Sequence, residues 1–92
     1  MSPTDPIAIG SLAIGSREWM APMAGVTNLP FRRIARACGC RMAFTEMVSA
    51  NGLVRSTRKT LHYLDTCPED HPLGVQIFGS DPEVLARAAR IV

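Results

Sequence analysis

The sequence predicts an α/β protein with parallel strands, and three observations lead to that prediction. Short apolar segments that end in polar residues alternate along the chain with segments of helical periodicity. The helical segments begin with capping residues and with prolines in the first turn. Strands that alternate with helices run parallel and are joined by right-handed crossovers. The expected order is therefore a hairpin followed by three units, each made of a strand and a helix.

The first two elements of this order are the hairpin and the first parallel strand. Residues 7–14, with the sequence IAIGSLAI, contain two apolar runs around Gly10 and Ser11, which favours a hairpin with a Gly-Ser turn. Residues 18–23 are expected to form a short strand that ends at Pro22.

The first helix has clear signals at both ends. Thr27 or Asn28 can cap its N-terminus, Pro30 fits its first turn, and Gly39 is expected to end it. Its spacing divides the residues into two faces. The apolar face contains Phe31, Ile34, Ala35 and Cys38, and the opposite side carries Arg32, Arg33 and Arg36.

The remaining two units follow the same pattern. Residues 42–47 lie in the apolar run RMAFTEMVSA and predict a buried strand, and residues 51–64 predict a helix. Residues 74–78, in LGVQIFG, predict the third strand. The last helix begins with Ser80 or Asp81 as its cap and continues to the end of the chain.

Composition excludes several classes of protein. The chain has 92 residues, of which 47% are hydrophobic and 20% charged, and a net charge of +2 is too small to indicate nucleic-acid binding by itself. No run reaches the roughly 20 apolar residues of a membrane span. Residues 1–6, MSPTDP, lack the features of a secretory signal. The three cysteines, Cys38, Cys40 and Cys67, show no zinc spacing, so no metal is expected. They fit buried thiols of a cytoplasmic protein. Since no apolar run is long enough to span a membrane, no membrane partner is expected either.

Candidate site residues stand at the carboxyl ends of the three predicted strands, where parallel α/β folds place their chemistry. The first strand ends in Pro22, Met23 and Ala24, and the third contains Gln76 between two apolar residues. Together they predict a pocket floor for a flat, amphipathic ligand such as the isoalloxazine ring of a flavin. Glu46 ends the second strand, and two roles are open: it lines the substrate pocket, or it anchors Thr27 or a loop N–H.

Four segments of the chain carry a resemblance to a known family. They are APMAGVTNLPFRR, TEMVSANGLV, RKTLHYLD and PLGVQIFGSDPEVLARAARIV. In order and spacing they resemble the N-terminal part of the bacterial tRNA-dihydrouridine synthases, from about residue 7 to residue 92. The resemblance implies the N-terminal hairpin and first three β/α units of a truncated (β/α)8 TIM barrel. Residues 1–92 would then be part of an FMN-binding domain that continues into the rest of the barrel and a helical RNA-binding domain.

The resemblance also implies a reaction and its site. The reaction is FMN-dependent, NADPH-linked reduction of uridine to 5,6-dihydrouridine in tRNA, with hydride delivered to C6 and a cysteine protonating C5. Residues matching the family's FMN contacts are Pro22, Met23, Ala24 and Gln76, and Thr27 and Glu46 are candidates for the substrate pocket. The family's cysteine lies in an Asn-x-Gly-Cys-Pro segment that is absent here, so no catalytic residue is assigned in this chain and the chain alone is expected to be inactive.

Two alternatives stay open on the sequence. One is another FMN-dependent TIM-barrel oxidoreductase, related to dihydroorotate dehydrogenase, although the segment TEMVSANGL argues against it. The other is a non-catalytic α/β module that binds a partner through an exposed strand edge.

Overall fold

The computed structural model describes residues 7–92. Two expectations therefore lie partly or wholly outside it: a domain that begins at residue 1, and the lack of a signal in residues 1–6. The described chain begins with the predicted hairpin, in which β1 (Ile7–Ile9) pairs antiparallel with β2 (Leu12–Ile14). Gly10 has a φ of +59°, a left-handed conformation that glycine adopts without strain, so the turn lies where the sequence predicted it.

The predicted strand at residues 18–23 does not form. Among residues 7–92, the one hydrogen bond of this segment that resembles a sheet contact is donated by the Met20 N–H to the Met42 carbonyl at 2.9 Å. Pro22 has no N–H to donate, and the Met23 carbonyl instead accepts the N–H groups of Val26 and Thr27, both at 3.0 Å. The expectation of a strand here was wrong because Pro22 lacks an N–H and both backbone groups of Met23 are bound within the turn that follows.

The first helix, α1 (Leu29–Ala37), has the predicted ends. Asn28 is its cap, and the Asn28 Oδ1 accepts the N–H of Phe31 at 3.0 Å. The chain leaves the helix at Gly39, which has a φ of +101°.

The burial of α1 differs from what its apolar face suggests. Arg32 is 1% exposed, whereas Ile34 is 68% exposed. Arg32 and Arg36 face the protein, while Arg33 is exposed, because the fully buried Asp70 carboxylate binds the first two guanidinium groups, at 2.9 Å from Arg32 Nε and 3.1 Å from Arg36 Nη2. Two charge-assisted bonds to one buried acid thus orient the helix.

Each of the two remaining predicted strands is present but divided in two. β3 (Ala43–Phe44) lies within the strand expected at 42–47 and β4 (Val48–Ser49) lies just beyond it, and their partners β5 (Leu73–Gly74) and β6 (Ile77–Phe78) lie at the two ends of the strand expected at 74–78. β3 pairs with β5 and β4 pairs with β6, both in parallel, which confirms the predicted direction.

Thr45 explains the break between the paired segments. Its Oγ1 accepts the Gln76 N–H at 3.2 Å and donates to the Glu46 carbonyl at 2.9 Å. A side chain therefore takes the place of a backbone partner at this point of the ladder.

The predicted helix at residues 51–64 is also divided, into α2 (Ala50–Arg55) and α3 (Arg58–His62). Ser56 has a φ of 56°, which ends α2 in a left-handed residue. Thr57 then caps α3, and the Thr57 Oγ1 accepts the Thr60 N–H at 3.3 Å. The continuous helix was a wrong prediction because Ser56 and Thr57 favour a stop and a new cap over continuation.

The last helix, α4 (Pro82–Ile91), begins as predicted, with the Asp81 Oδ1 accepting the Glu83 N–H at 2.9 Å. A small core lies between α2, α4 and β4, and its fully buried members are Val48, Ala50, Leu53 and Ala88. Within residues 7–92, no helix combines the length and the hydropathy that crossing a membrane requires.

Candidate functional site

The turn after Pro22 is fixed by a single buried threonine. The Thr27 side chain is fully buried, and its Oγ1 accepts the Met23 N–H at 3.0 Å and donates to the Met23 carbonyl at 3.1 Å. Gly25 has a φ of +75°, so the chain reverses there without the strain that a Cβ would add. Thr27 therefore acts on the backbone of the turn.

Glu46 ties this turn to the neighbouring strand end. Its carboxylate Oε1 accepts the N–H of Gly25 in a short hydrogen bond. Glu46 lies between β3 and β4, so the bond joins two segments that are 21 residues apart in sequence. Of the two roles left open by the sequence, the contact with a loop N–H is present, and Glu46 also lines the cavities described below.

Gln76 is held through its backbone between β5 and β6. Its N–H donates to Thr45 Oγ1 at 3.2 Å, and its carbonyl accepts the Val48 N–H at 2.7 Å. The residue is half-buried, and no residue between 7 and 92 forms a hydrogen bond with its side-chain amide. The sheet thus fixes the backbone of Gln76, and its side-chain amide has no partner among the described residues.

The turn itself is open to solvent. Met23 is 41% exposed, Ala24 and Gly25 are exposed, and Pro22 is half-buried. A Cβ built on Gly25 meets no atom within 4 Å, so the space beside this backbone is free. An exposed turn with fixed backbone groups can support a flat ring.

Two cavities lie beside the turn. The larger, of about 560 Å³, contains the side chains of Asn28, Arg32 and Asp65 in its wall. The smaller, of about 390 Å³, includes Lys59, Phe78 and Ala24. The two cavities share three lining residues, Gly25, Glu46 and Tyr63, and therefore adjoin one another.

The three cysteines lie away from these cavities. Cys38 is exposed, Cys40 and Cys67 are half-buried, and all are free thiols. The Cys40 Sγ donates to the Met42 carbonyl at 3.3 Å, and none of the three lines either cavity. In the part of the chain that the structure describes, no group of three or more His, Cys, Asp or Glu side chains could hold a metal ion.

Sequence reasoning missed the role of Arg32. Its Nη1 donates to the Thr27 carbonyl at 2.8 Å, and its Nη2 donates to the Asp65 carbonyl at 2.8 Å. Because Thr27 fixes Met23, the buried ion pair of Arg32 and Asp70 supports the turn from behind. The signal available in the sequence was the spacing of Arg32 and Arg36, which are four residues apart and so share one side of a helix.

Comparison with known proteins gives one family and a set of relatives. The model of the dihydrouridine synthase family matches residues 19–92. The chain is 43% identical over 82 residues to tRNA-dihydrouridine synthase B of Xanthomonas axonopodis pv. citri, which covers 89% of this chain and 25% of that protein. It is 42% identical over 84 residues to tRNA-dihydrouridine synthase B of Pseudomonas aeruginosa, covering 91% of this chain and 25% of the relative.

A more distant relative gives the same picture. A probable tRNA-dihydrouridine synthase of Treponema pallidum is 33% identical over 87 residues, or 95% of this chain and 26% of the relative. The chain thus spans about a quarter of the length of the curated relatives it matches.

Proposed function

The chain belongs to the dihydrouridine synthase family, and on that premise we propose that it forms part of an enzyme that reduces uridine to 5,6-dihydrouridine in tRNA. The single observation that carries the proposal is the family match over residues 19–92, because this range contains the turn, Glu46 and Gln76. The family is an enzyme family, which favours this function over a non-catalytic binding module. The names of the relatives favour it over a dihydroorotate dehydrogenase-like oxidoreductase.

We propose that residues 1–92 are the N-terminal part of a TIM-barrel domain, with the hairpin preceding three β/α units, in the first of which the irregular segment at residues 18–23 takes the place of the strand. Two features support this architecture: β3 pairs in parallel with β5, and β4 pairs in parallel with β6. In such barrels the carboxyl ends of the strands carry the active site. Gln76 and Glu46 belong to that end of the proposed barrel.

The proposed cofactor is FMN, with NADPH as the reductant. The residues proposed to contact its ring are Pro22, Met23, Ala24 and Gln76. Their arrangement fits such a group, because the turn is exposed and fixed by Thr27, and the Gln76 amide has no bond to another described residue. When bound, FMN supplies the hydride for reduction of the uracil C5–C6 double bond.

In this proposal Thr27 and Glu46 hold the turn in place and do not react. Thr27 binds both backbone groups of Met23, and Glu46 binds the Gly25 N–H. The proton for C5 is proposed to come from a cysteine in an Asn-x-Gly-Cys-Pro segment outside this chain. Cys38, Cys40 and Cys67 line neither cavity beside the turn, which supports that assignment.

The test uses the full-length enzyme, meaning the polypeptide in which this chain is followed by the remainder of a family barrel and its helical domain. We expect the purified enzyme to carry FMN, to oxidise NADPH and to form dihydrouridine in an unmodified tRNA transcript, measured by mass spectrometry of the digested RNA. An enzyme that binds FMN and oxidises NADPH but leaves every uridine unreduced would contradict the proposed substrate.

A further inference from the structure

The smaller cavity beside the turn has walls that suit a nucleotide. We call it the Lys59 cavity, and the residues that matter for its chemistry are Ala24, Gly25, Glu46, Lys59, Tyr63 and Phe78. Its volume of about 390 Å³ falls at the lower end of the range of small-molecule sites, roughly 300–1,000 Å³.

Aromatic side chains line this cavity. Phe78 is 48% exposed and Tyr63 is half-buried, and both line the cavity. Exposed aromatic faces are the surfaces on which proteins stack unpaired bases of RNA. The cavity can therefore receive a base without any specific hydrogen bond.

The charge of the cavity comes from Lys59 and Glu46. The Lys59 residue is exposed and can reach a phosphate, whereas one oxygen of Glu46 is already occupied by the Gly25 N–H. Arg55 and Arg58 are also exposed, but they line neither cavity beside the turn. Of the three cationic residues Arg55, Arg58 and Lys59, Lys59 is thus the one that lines a cavity beside the turn.

The position of the cavity follows from the turn. Its wall includes Ala24, one of the proposed flavin contacts, and Gly25, but neither Pro22 nor Met23, so the cavity adjoins the proposed flavin site. An enzyme that acts on a base must take that base out of its stack. The nucleotide next to the reacting uridine then also needs a binding site close to the flavin.

We propose that the Lys59 cavity is an RNA subsite that holds the nucleotide adjacent to the reduced uridine. The base of this nucleotide stacks against Tyr63 and Phe78, and its phosphate binds the Lys59 ammonium. The inference rests on the proposed function, because it takes tRNA as the substrate.

The experiment measures binding and chemistry separately in the full-length enzyme. Binding of a labelled, unmodified tRNA transcript is followed by fluorescence anisotropy at several salt concentrations. Bound FMN and the rate of its reduction by NADPH without tRNA report on the rest of the site. The variants are Lys59→Ala and Tyr63→Leu, with Arg58→Ala as the matched control. Leucine is chosen at position 63 because Tyr63 also packs against the core.

We expect Lys59→Ala to raise the Kd for tRNA about fivefold, as for a partly exposed ion pair, and to lower the slope of log K against log salt by about one. Tyr63→Leu is expected to raise the Kd about tenfold, because stacking of one base is lost, and Tyr63→Phe is expected to keep the wild-type Kd. The control Arg58→Ala should also bind as the wild type does, and flavin reduction without tRNA should be unchanged in all variants.

Equal Kd values for Lys59→Ala and Arg58→Ala would overturn the subsite, as would a Tyr63→Leu protein that binds tRNA as tightly as the wild type. These outcomes are distinct from failure of the proposed function. A wild-type enzyme that binds tRNA without reducing it would contradict the function, and the comparison of Kd values would still decide the subsite.

Discussion

Removing the Asp70 carboxylate should destabilise the protein far more than removing an exposed carboxylate from the same loop. Asp70 is fully buried. Its carboxylate binds Arg32 Nε at 2.9 Å and Arg36 Nη2 at 3.1 Å, and it accepts a hydrogen bond from the Thr66 hydroxyl at 3.1 Å. Asp70→Ala leaves two guanidinium groups without their counter-charge, and the Arg32 side chain is only 2% exposed.

The expected loss of stability in Asp70→Ala follows from the burial of the ion pair. Removing one partner of a buried ion pair costs about 3–5 kcal/mol, because the remaining charge is left uncompensated. Asp65 provides the matched control: its carboxylate is 54% exposed and pairs with the exposed His62 ring at 2.7 Å. An exposed pair of this kind contributes about 0–1 kcal/mol. The main-chain carbonyl of Asp65, which binds Arg32, is kept in Asp65→Ala.

The assay is urea unfolding of the full-length enzyme, followed by circular dichroism, for the wild type, Asp70→Ala and Asp65→Ala. We expect a clear fall in the unfolding midpoint for Asp70→Ala alone, with FMN binding weakened as well, because Arg32 holds the Thr27 carbonyl. If both variants unfolded at the same urea concentration, the buried ion pair would not be what fixes α1.

Three further predictions concern the turn and its chemistry. Gln76→Ala should weaken FMN binding by roughly 1–3 kcal/mol, as for a lost hydrogen-bond partner; an unchanged Kd, measured by quenching of flavin fluorescence, would argue against the contact. Gly25→Ala should destabilise the protein by about 1–2 kcal/mol, because the φ of +75° at this position disfavours a residue with a Cβ. Gly25→Asn should lose less stability than Gly25→Ala. Equal melting temperatures for the wild type and the two variants would contradict this reasoning. Single-turnover reduction of tRNA should survive alanine substitution of each of the three cysteines, Cys38, Cys40 and Cys67. Loss of reduction in any of these variants that keeps FMN would place the proton donor within this chain.

Local features of the fold could be read from the sequence. The hairpin turn at Gly10, the cap at Asn28 and the cap at Asp81 all stand where the sequence predicted them. Each depends on residues within a few positions of one another, so the local sequence contains the whole interaction. The parallel direction of the paired strands was also predictable, because helical connections between strands leave few other arrangements.

Other features depended on contacts between distant residues. The division of the strands comes from Thr45, whose hydroxyl binds the Gln76 N–H, 31 residues away in the chain. The sequence named a contact with a loop N–H as one of two possible roles of Glu46, and only the folded chain shows that the N–H is that of Gly25. The contacts of Pro22, Met23, Ala24 and Gln76 with FMN remain a prediction.

The sequence by itself determined where α1 begins and ends and which residues share each of its sides. Only the tertiary structure decided which side is buried. Asp70 lies 38 residues from Arg32, and it reaches the helix through a loop whose path no local pattern specifies. A buried carboxylate that binds two guanidinium groups holds Arg32 and Arg36 inward, so in the described structure these two charged residues of α1 are packed while Ile34 is 68% exposed.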